Sequence, residues 1–349
     1  MQLHTDAVQT IENQAAGSMR RVRSDVVQRD RFITYSTLST AALKGLVVPN
    51  YSLGEPVECV LFQRGVNDTY LLTVADRQFA LRVSRAGWRT PDRIAAELSA
   101  LTHLHSKGVG VAMPVPRDDG SFITEIQAPE GLRRAVLFEW AKGRTPKYGN
   151  AQDAFRYGQL VARLHCASDD MSASNARPRM DLNYLLGEPM ERIRTRLLSM
   201  PRIWKDLNQL VQRVLARLDR VALKELDWGF CHGDVWSDNA RTDGERLTLF
   251  DFDSCGTGWR IYDIASYKWE ARRQGAEQAA WQSFIDGYLQ IRPSAAGSLG
   301  IVGWFMILRH LFITSQLLAL TSELGTGFVP DESFDELVPF CEKIESEID

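Results

Sequence analysis

The chain has 349 residues, 44% of them apolar and 24% charged, with a formal net charge of −3. This is an ordinary globular composition, enough for one large or two small domains. It lacks the basic surplus that nucleic-acid or anionic-membrane binding requires, so neither partner is expected. Five cysteines (Cys59, Cys166, Cys231, Cys255 and Cys341) are odd in number, scattered and without C-x-x-C spacing. They argue against a disulfide framework or zinc site and for reduced thiols in a cytoplasm.

Residues 1–35 are expected to form an extension. The opening stretch is polar and contains acidic residues, unlike a secretory signal, and Asp25 and Asp30 interrupt the basic cluster of Arg20, Arg21, Arg23, Arg29 and Arg31. Ser39 and Thr40 can cap a short helix through Gly45. Strand-type runs come next at Val57–Val66, Asp68–Val74 and Gln78–Arg85. In the third run, alternation places Ala80 and Arg82 on one face and Leu81, Val83 and Arg85 on the other. Pro91 suits the first position of a helix reaching about His105, with Thr90 as its cap. Its apolar set, Ile94, Leu98, Leu101 and Leu104, puts Glu97 on the packed face. A carboxylate there needs a cation, and Arg82 is the candidate. Two more strand runs, Ser121–Gln127 and Arg133–Trp140, flank the turn Ala128-Pro129-Glu130-Gly131.

Beyond Gly143 the period becomes helical: Ala154–Ala167, Met190–Ala222, Tyr262–Arg273, Ala276–Leu289, Ala295–Leu320 and Phe334–Glu347. The most apolar window, Ile301 to Leu320, contains Arg309, His310, Ser315 and Gln316. It is too interrupted for a membrane span and reads as a buried helix. A strand-rich half preceding a helix-rich half predicts an α+β fold with the active site in the cleft between the halves. The expected divisions are 1–35, a small lobe over 36–140, and a large lobe over 141–349.

The chemistry is concentrated between Cys231 and Asp263. H-G-D-x-x-x-x-N (His232, Gly233, Asp234, Asn239) leads through a polar turn and an apolar run to Asp251-Phe252-Asp253. That order is a phosphoryl-transfer site in linear form: Asp234 receives or orients an acceptor hydroxyl, while Asn239 and Asp251 supply hard oxygen ligands for Mg²⁺. A hairpin between the two clusters would bring Asn239 and Asp251 to one metal. Taken singly these residues are ordinary turn formers; the constellation in context carries the reading.

These motifs resemble those of the aminoglycoside phosphotransferase and choline kinase superfamily, which includes type II homoserine kinases and bacterial stress-response kinases. That family has H-G-D where protein kinases have H-R-D, and a Tyr-Asp-Leu-Ala-like element matched by Tyr262-Asp263-Ile264-Ala265. The resemblance implies a two-lobed protein-kinase-like fold. Its small lobe would hold a five-stranded antiparallel sheet plus one helix, and its large lobe would be mainly helical. It also implies ATP, Mg²⁺ and a hydroxyl-bearing acceptor. Phe79-Ala80-Leu81-Arg82 then occupies the place of V-A-I-K. Arg82 falls where the phosphate-pairing lysine is expected, a departure that keeps the charge but changes its geometry. The turn Arg64–Thr69 is the nucleotide-loop candidate, with backbone amides near Gly65 and Asn67 and the Thr69 hydroxyl approaching phosphate oxygens. By resemblance, the backbone of Glu139 and Ala141 meets adenine. His232, His165 and Asp263 are expected to be structural supports. Asp253 replaces the glycine of D-F-G, either reaching a second metal or bonding locally.

Only nine residues separate Asp253 from Asp263, too few for a protein-kinase activation segment. The leading reading is therefore a kinase for a small hydroxyl compound such as an aminoglycoside, homoserine or a choline-like acceptor. A stress-response-type Ser/Thr protein kinase and an inactive nucleotide-binding module are the alternatives. Eight acidic residues in Asp331–Asp349 could hold a cationic substrate, or simply mark a solvated amphipathic helix with Leu337, Phe340 and Ile344 inward.

Overall fold

The computed structural model describes residues 33–54, 57–172 and 174–348. The Arg20–Arg31 cluster and most of the 1–35 extension lie outside the described residues.

The chain divides into two compact units. The first runs to Arg89 and adds Val115–Phe138. Ser39 caps α1 (Thr40–Leu46) by accepting from Ala42 N, as its hydroxyl predicts. Next comes a five-stranded sheet in the order β1-β2-β3-β5-β4, from Val57–Arg64, Asn67–Val74, Arg77–Ser84, Ile123–Ala128 and Gly131–Glu139 for β1 to β5. Strand parity decides its core. Tyr70, Leu72 and Val74 of β2, and Phe79, Leu81 and Val83 of β3, are buried, while Ala80 and Arg82 are half-buried on the other face.

The same parity buries two charges. Asp68 shares the inward face of β2, Arg133 that of β5, and both side chains are wholly inaccessible. Arg133 Nη2 donates to Asp68 Oδ2 at 3.0 Å, Nε to Ser84 O and Nη1 to Ser36 O, both at 2.9 Å. The Tyr35 hydroxyl donates to the other Asp68 oxygen. Burial, then the neighbouring Asp68, pushes the Tyr35 phenol up to about 12, so it remains a donor at any physiological pH. Tyr35, expected to close a loose extension, is thus bolted to the sheet.

The second unit comprises Thr90–Pro114 and everything from Glu139 onward. It includes α2 (Pro91–Ser106), which the strand and helix pattern of the sequence assigns to the small lobe. The reason is local: Ala112 N donates to Leu249 O and Leu249 N to Gly110 O, both at 2.9 Å, which zips the segment after α2 onto a strand of the second unit. Gly110 is required for this approach, since a β-carbon there would lie 2.2 Å from Leu247 O. Thr90 caps α2 by accepting from Arg93 N.

Helices α3 (Ala151–Ala167), α4 (Glu188–Arg196), α5 (Pro201–Leu218), α6 (Ile261–Arg273), α7 (Glu277–Ile291), α8 (Val302–Ala319) and α9 (Leu337–Glu345) form most of this unit. β6 (Arg179–Met180), β7 (Trp228–Cys231) and β10 (Gly256–Trp259) make a small sheet in the order β6-β10-β7, and β8 (Ala240–Thr242) pairs with β9 (Leu247–Leu249). The segment Pro293–Ala319 is long and apolar enough to cross a membrane by composition alone. Its α8 portion instead buries Trp304, Phe305, Ile307, Leu308, Leu311 and Phe312 within the unit, as the interrupted sequence predicts.

Candidate active site

The end of β7 delivers Cys231 into a turn that only glycine tolerates. Gly233 has φ +81°, and a β-carbon there would lie 2.3 Å from Ser254 O. The turn is held from below by Asp263, in the first turn of α6, which accepts from His232 N at 2.7 Å and Gly233 N at 2.8 Å. Burial works to raise the Asp263 carboxyl. The bond from His165 and the nearby imidazoles and amide outweigh it and hold it below the usual carboxylate range. His165 on α3 contacts Asp263 through Nε2 at 3.0 Å and the Tyr288 hydroxyl through Nδ1 at 2.7 Å. Both His165 and His232 are fully buried, and that burial lowers their basicity. They are supports, as expected.

His232 braces the loop a second way. Its Nδ1 accepts from Asp234 N at 3.2 Å, so the proton sits on Nε2, 3.1 Å from Phe250 O. The ring lies 4.3 Å from that of Phe252. Tyr157 donates to Trp236 O at 2.7 Å, and Ser237 N donates to the Tyr148 hydroxyl at 3.1 Å. The loop is thus tied at several points to other segments of the same unit.

These braces leave Asp234 partly open, its side chain 25% exposed. The Asn239 amide donates to Asp234 Oδ2 at 2.8 Å and to its carbonyl at 2.9 Å, which turns the Asn239 carbonyl oxygen away from Asp234. The expected hairpin is present: β8 pairs with β9, and Phe250 N donates to Asn239 O at 3.0 Å. Asn239 and Asp251 are therefore one residue apart across the ladder. Asp251 is solvent-exposed and adopts the left-handed backbone conformation, φ 61°. For a non-glycine residue this is a strained geometry of the kind that collects at functional positions.

Among the described residues no cluster of three or more His, Cys, Asp or Glu is arranged to hold a metal by itself. The donor set present is one amide oxygen and one carboxylate. That suits Mg²⁺, which is commonly held by one or two protein oxygens together with substrate phosphates and water.

Sequence reasoning missed Arg309. This residue of α8 donates through Nη1 to Gly233 O at 2.9 Å and through Nη2 to Asp234 Oδ1. Burial opposes its charge, but Tyr262 and Asp234 outweigh that and hold the guanidinium firmly protonated. The available signal was a single cation inside an apolar helix, which must find a partner when buried.

The other expected residues are spread over both units. Arg82 lies on β3 opposite Thr69 of β2, its guanidinium 4.7 Å from the Phe138 ring. Glu97 is completely buried on α2, on the packed face that its spacing predicts. Gly65 lies in the β1–β2 turn and donates through N to Asn67 O, while Asn67 and Thr69 begin β2. Arg85 holds that turn through bonds to Gly65 O at 2.7 Å and Val66 O at 2.9 Å. Glu139 N donates to Met113 O, and Ala141 comes next in the segment that pairs at Arg144 with Thr242. Asp253 lies in the single turn Phe252–Ser254.

Residues 59–297 match the model of the phosphotransferase enzyme family. The chain belongs to that family. As a member it is a phosphotransferase with a hydroxyl acceptor group. A protein of Deinococcus radiodurans is 39% identical over 297 residues, covering 84% of this chain and 86% of the relative. A homoserine kinase of Neisseria meningitidis serogroup B is 27% identical, covering 75% and 83%. Among solved structures, the amicoumacin kinase hAmiN in complex with AMP-PNP, Ca²⁺ and Ami superposes with a TM-score of 0.71 at 19% identity, covering 93% of this chain and 96% of that one. The phosphotransferase family's fold is thus shared, and the α+β, kinase-like expectation holds.

Proposed function

We propose that this phosphotransferase moves the γ-phosphoryl group of ATP, with Mg²⁺, to a hydroxyl of a small molecule. The observation that carries the reading is the pinned Asp234 with Asn239 beside it and Asp251 one residue across the hairpin. Asp234 orients the acceptor hydroxyl and takes its proton, an effect worth about 10²–10⁴-fold in rate. Asn239 and Asp251 hold Mg²⁺, which when bound neutralises charge on the nucleotide phosphates. Arg82, Glu97, the Gly65–Thr69 segment, Glu139 and Ala141 serve the nucleotide, Arg82 by gripping phosphate oxygens. The scattered thiols fit work in a cytoplasm.

The segment after Asp253 favours a small acceptor over a protein. It folds directly into β10, which pairs with β6 and β7, rather than forming a substrate-binding loop. Four acids of the acidic C-terminal stretch are already committed to arginines. Asp331 pairs with Arg196, Glu342 and Glu345 with Arg213, and Glu347 with Arg272. Leu337, Val338, Cys341 and Ile344 face inward, with Phe340 half-buried.

The test is ATP consumption over a panel of homoserine, amino alcohols, aminoglycosides and a generic protein substrate. The reading expects Mg²⁺-dependent turnover on at least one small hydroxyl compound, abolished in Asp234→Asn. Turnover confined to the protein substrate would reject it.

A further inference from the structure

We propose that Arg309 is the positioning residue of the transfer reaction, holding Asp234 in the orientation that receives the acceptor hydroxyl. The inference rests on the proposed role of Asp234 as the group that orients and deprotonates that hydroxyl. Arg309 lies mid-way along α8 among Ile307, Leu308 and Leu311, and is itself only 3% exposed. A buried ion pair of this kind is seldom retained for stability, because apolar residues of similar volume serve as well or better.

The arrangement of its bonds says what the charge is for. One guanidinium spans both the backbone and the side chain of the motif, reaching Gly233 O and Asp234 Oδ1. Asn239 holds the other carboxylate oxygen, Oδ2. Gripped at both oxygens, the carboxylate cannot rotate, and its remaining lone pairs point in fixed directions toward the open side. The orientation of the guanidinium is set by this task rather than by its own hydrogen-bond needs: Nε is buried without a hydrogen-bond partner. The rings of Trp269 and Tyr262, 5.4 and 5.9 Å away, border it. Pre-organisation of this kind acts on the rate, since misplacing a catalytic group by about 1 Å costs on the order of a hundredfold.

The experiment measures Mg²⁺-dependent ATP turnover (on an acceptor from the panel, or on water) and Mg-ATP affinity for wild type, Asp234→Asn, Arg309→Met, Arg309→Lys and Arg309→Ala. Arg309→Met is expected to lower kcat by about ten- to a hundredfold while the Mg-ATP Kd changes less than about twofold. Arg309→Lys should recover part of the loss, and added guanidinium ion should partly restore Arg309→Ala but not Asp234→Asn. Should Arg309→Met fail to fold, Arg309→Lys decides. A point charge reaches only one of the two acceptors, so kcat falls while Kd and the unfolding midpoint hold. Wild-type kcat in a folded Arg309→Met or Arg309→Lys enzyme, with Asp234→Asn inactive, overturns the role of Arg309 and leaves that of Asp234 standing. Turnover unchanged in Asp234→Asn overturns both.

Discussion

Each unit contains a carboxylate clamped by a buried arginine, and the two clamps do different work. In the first unit Asp68 and Arg133 are both wholly inaccessible, and Tyr35 occupies the second oxygen of Asp68. In the second, Arg309 is buried but Asp234 keeps a quarter of its side chain open. The same pair of functional groups is a bolt where every oxygen is consumed internally, and under the proposed function a reactive group where one side of the carboxylate still faces solvent. Burial of the acid, not the presence of the arginine, separates the roles.

The largest expected effect is an exchange of phenotypes between the two acids. Asp234→Asn should cost about 10²–10⁴-fold in turnover with a smaller loss of stability than Asp68→Ala, because an asparagine oxygen can still accept from Arg309 and this site is open to water. Asp68→Ala should leave the buried Arg133 with Glu130 as its remaining ionic partner, costing up to about 3–5 kcal/mol of stability, with turnover per folded molecule largely kept. Equilibrium denaturation and steady-state kinetics on both variants check this. If Asp68→Ala lost turnover while keeping its stability, the distinction would collapse.

A smaller effect sharpens the contrast inside the first unit. Arg82 is half-buried against the Phe138 ring rather than inside the core. Arg82→Ala should weaken Mg-ATP binding by roughly ten- to a hundredfold, the worth of a charge-assisted contact, without the stability loss expected for Asp68→Ala. Arg82→Lys should keep a measurable fraction. Unchanged nucleotide affinity and turnover in Arg82→Ala would mean that another cation holds the phosphates.

The smallest effect concerns the residue after Arg309. His310 accepts from Trp269 Nε1 at 3.2 Å, its ring lies 4.4 Å from that of Phe340, and burial lowers its pKa to about 3. As pH falls from about 6.5 toward 3, the unfolded chain takes up a proton that the folded chain refuses, so stability is lost through that window and is complete above it. At pH 5.5 the loss is about 1 kcal/mol. His310→Gln, which keeps an acceptor for Trp269, should flatten that part of the pH–stability curve. A wild-type slope in the variant would assign the acid sensitivity elsewhere.

Legibility in the sequence depended on how locally each feature is encoded. Asp234, Asn239 and Asp251 could be read because a short hairpin joins them and the motif order names their roles. The Asp263, His165 and His232 supports could be read because the H-G-D and Tyr-Asp elements carry the family resemblance that places them. The strands were legible as β-type runs, but the burial of Asp68 and Arg133, two charges in register with Tyr70, Leu72, Ala135 and Leu137, was not drawn from the sequence. The grouping of α2 with the second unit was not legible. It depends on Gly110–Ala112 pairing with Leu249, a contact too short to leave a pattern. Strands β6 and β10 pair over two residues and were hidden for the same reason. Arg309 lies 75 residues from Asp234, and only the cost of burying a lone cation pointed to it.

The proposed function gives two acids on one loop and hairpin separate tasks: Asp234 the reaction, Asp251 the metal-bound nucleotide. A single-turnover ATP assay run beside Mg-ATP thermal shifts for Asp234→Asn and Asp251→Ala separates the two tasks in one experiment. Asp234→Asn should keep the wild-type shift but not the turnover, and Asp251→Ala should lose both. An Asp251→Ala protein with the wild-type Mg-ATP shift and turnover would contradict this division of labour.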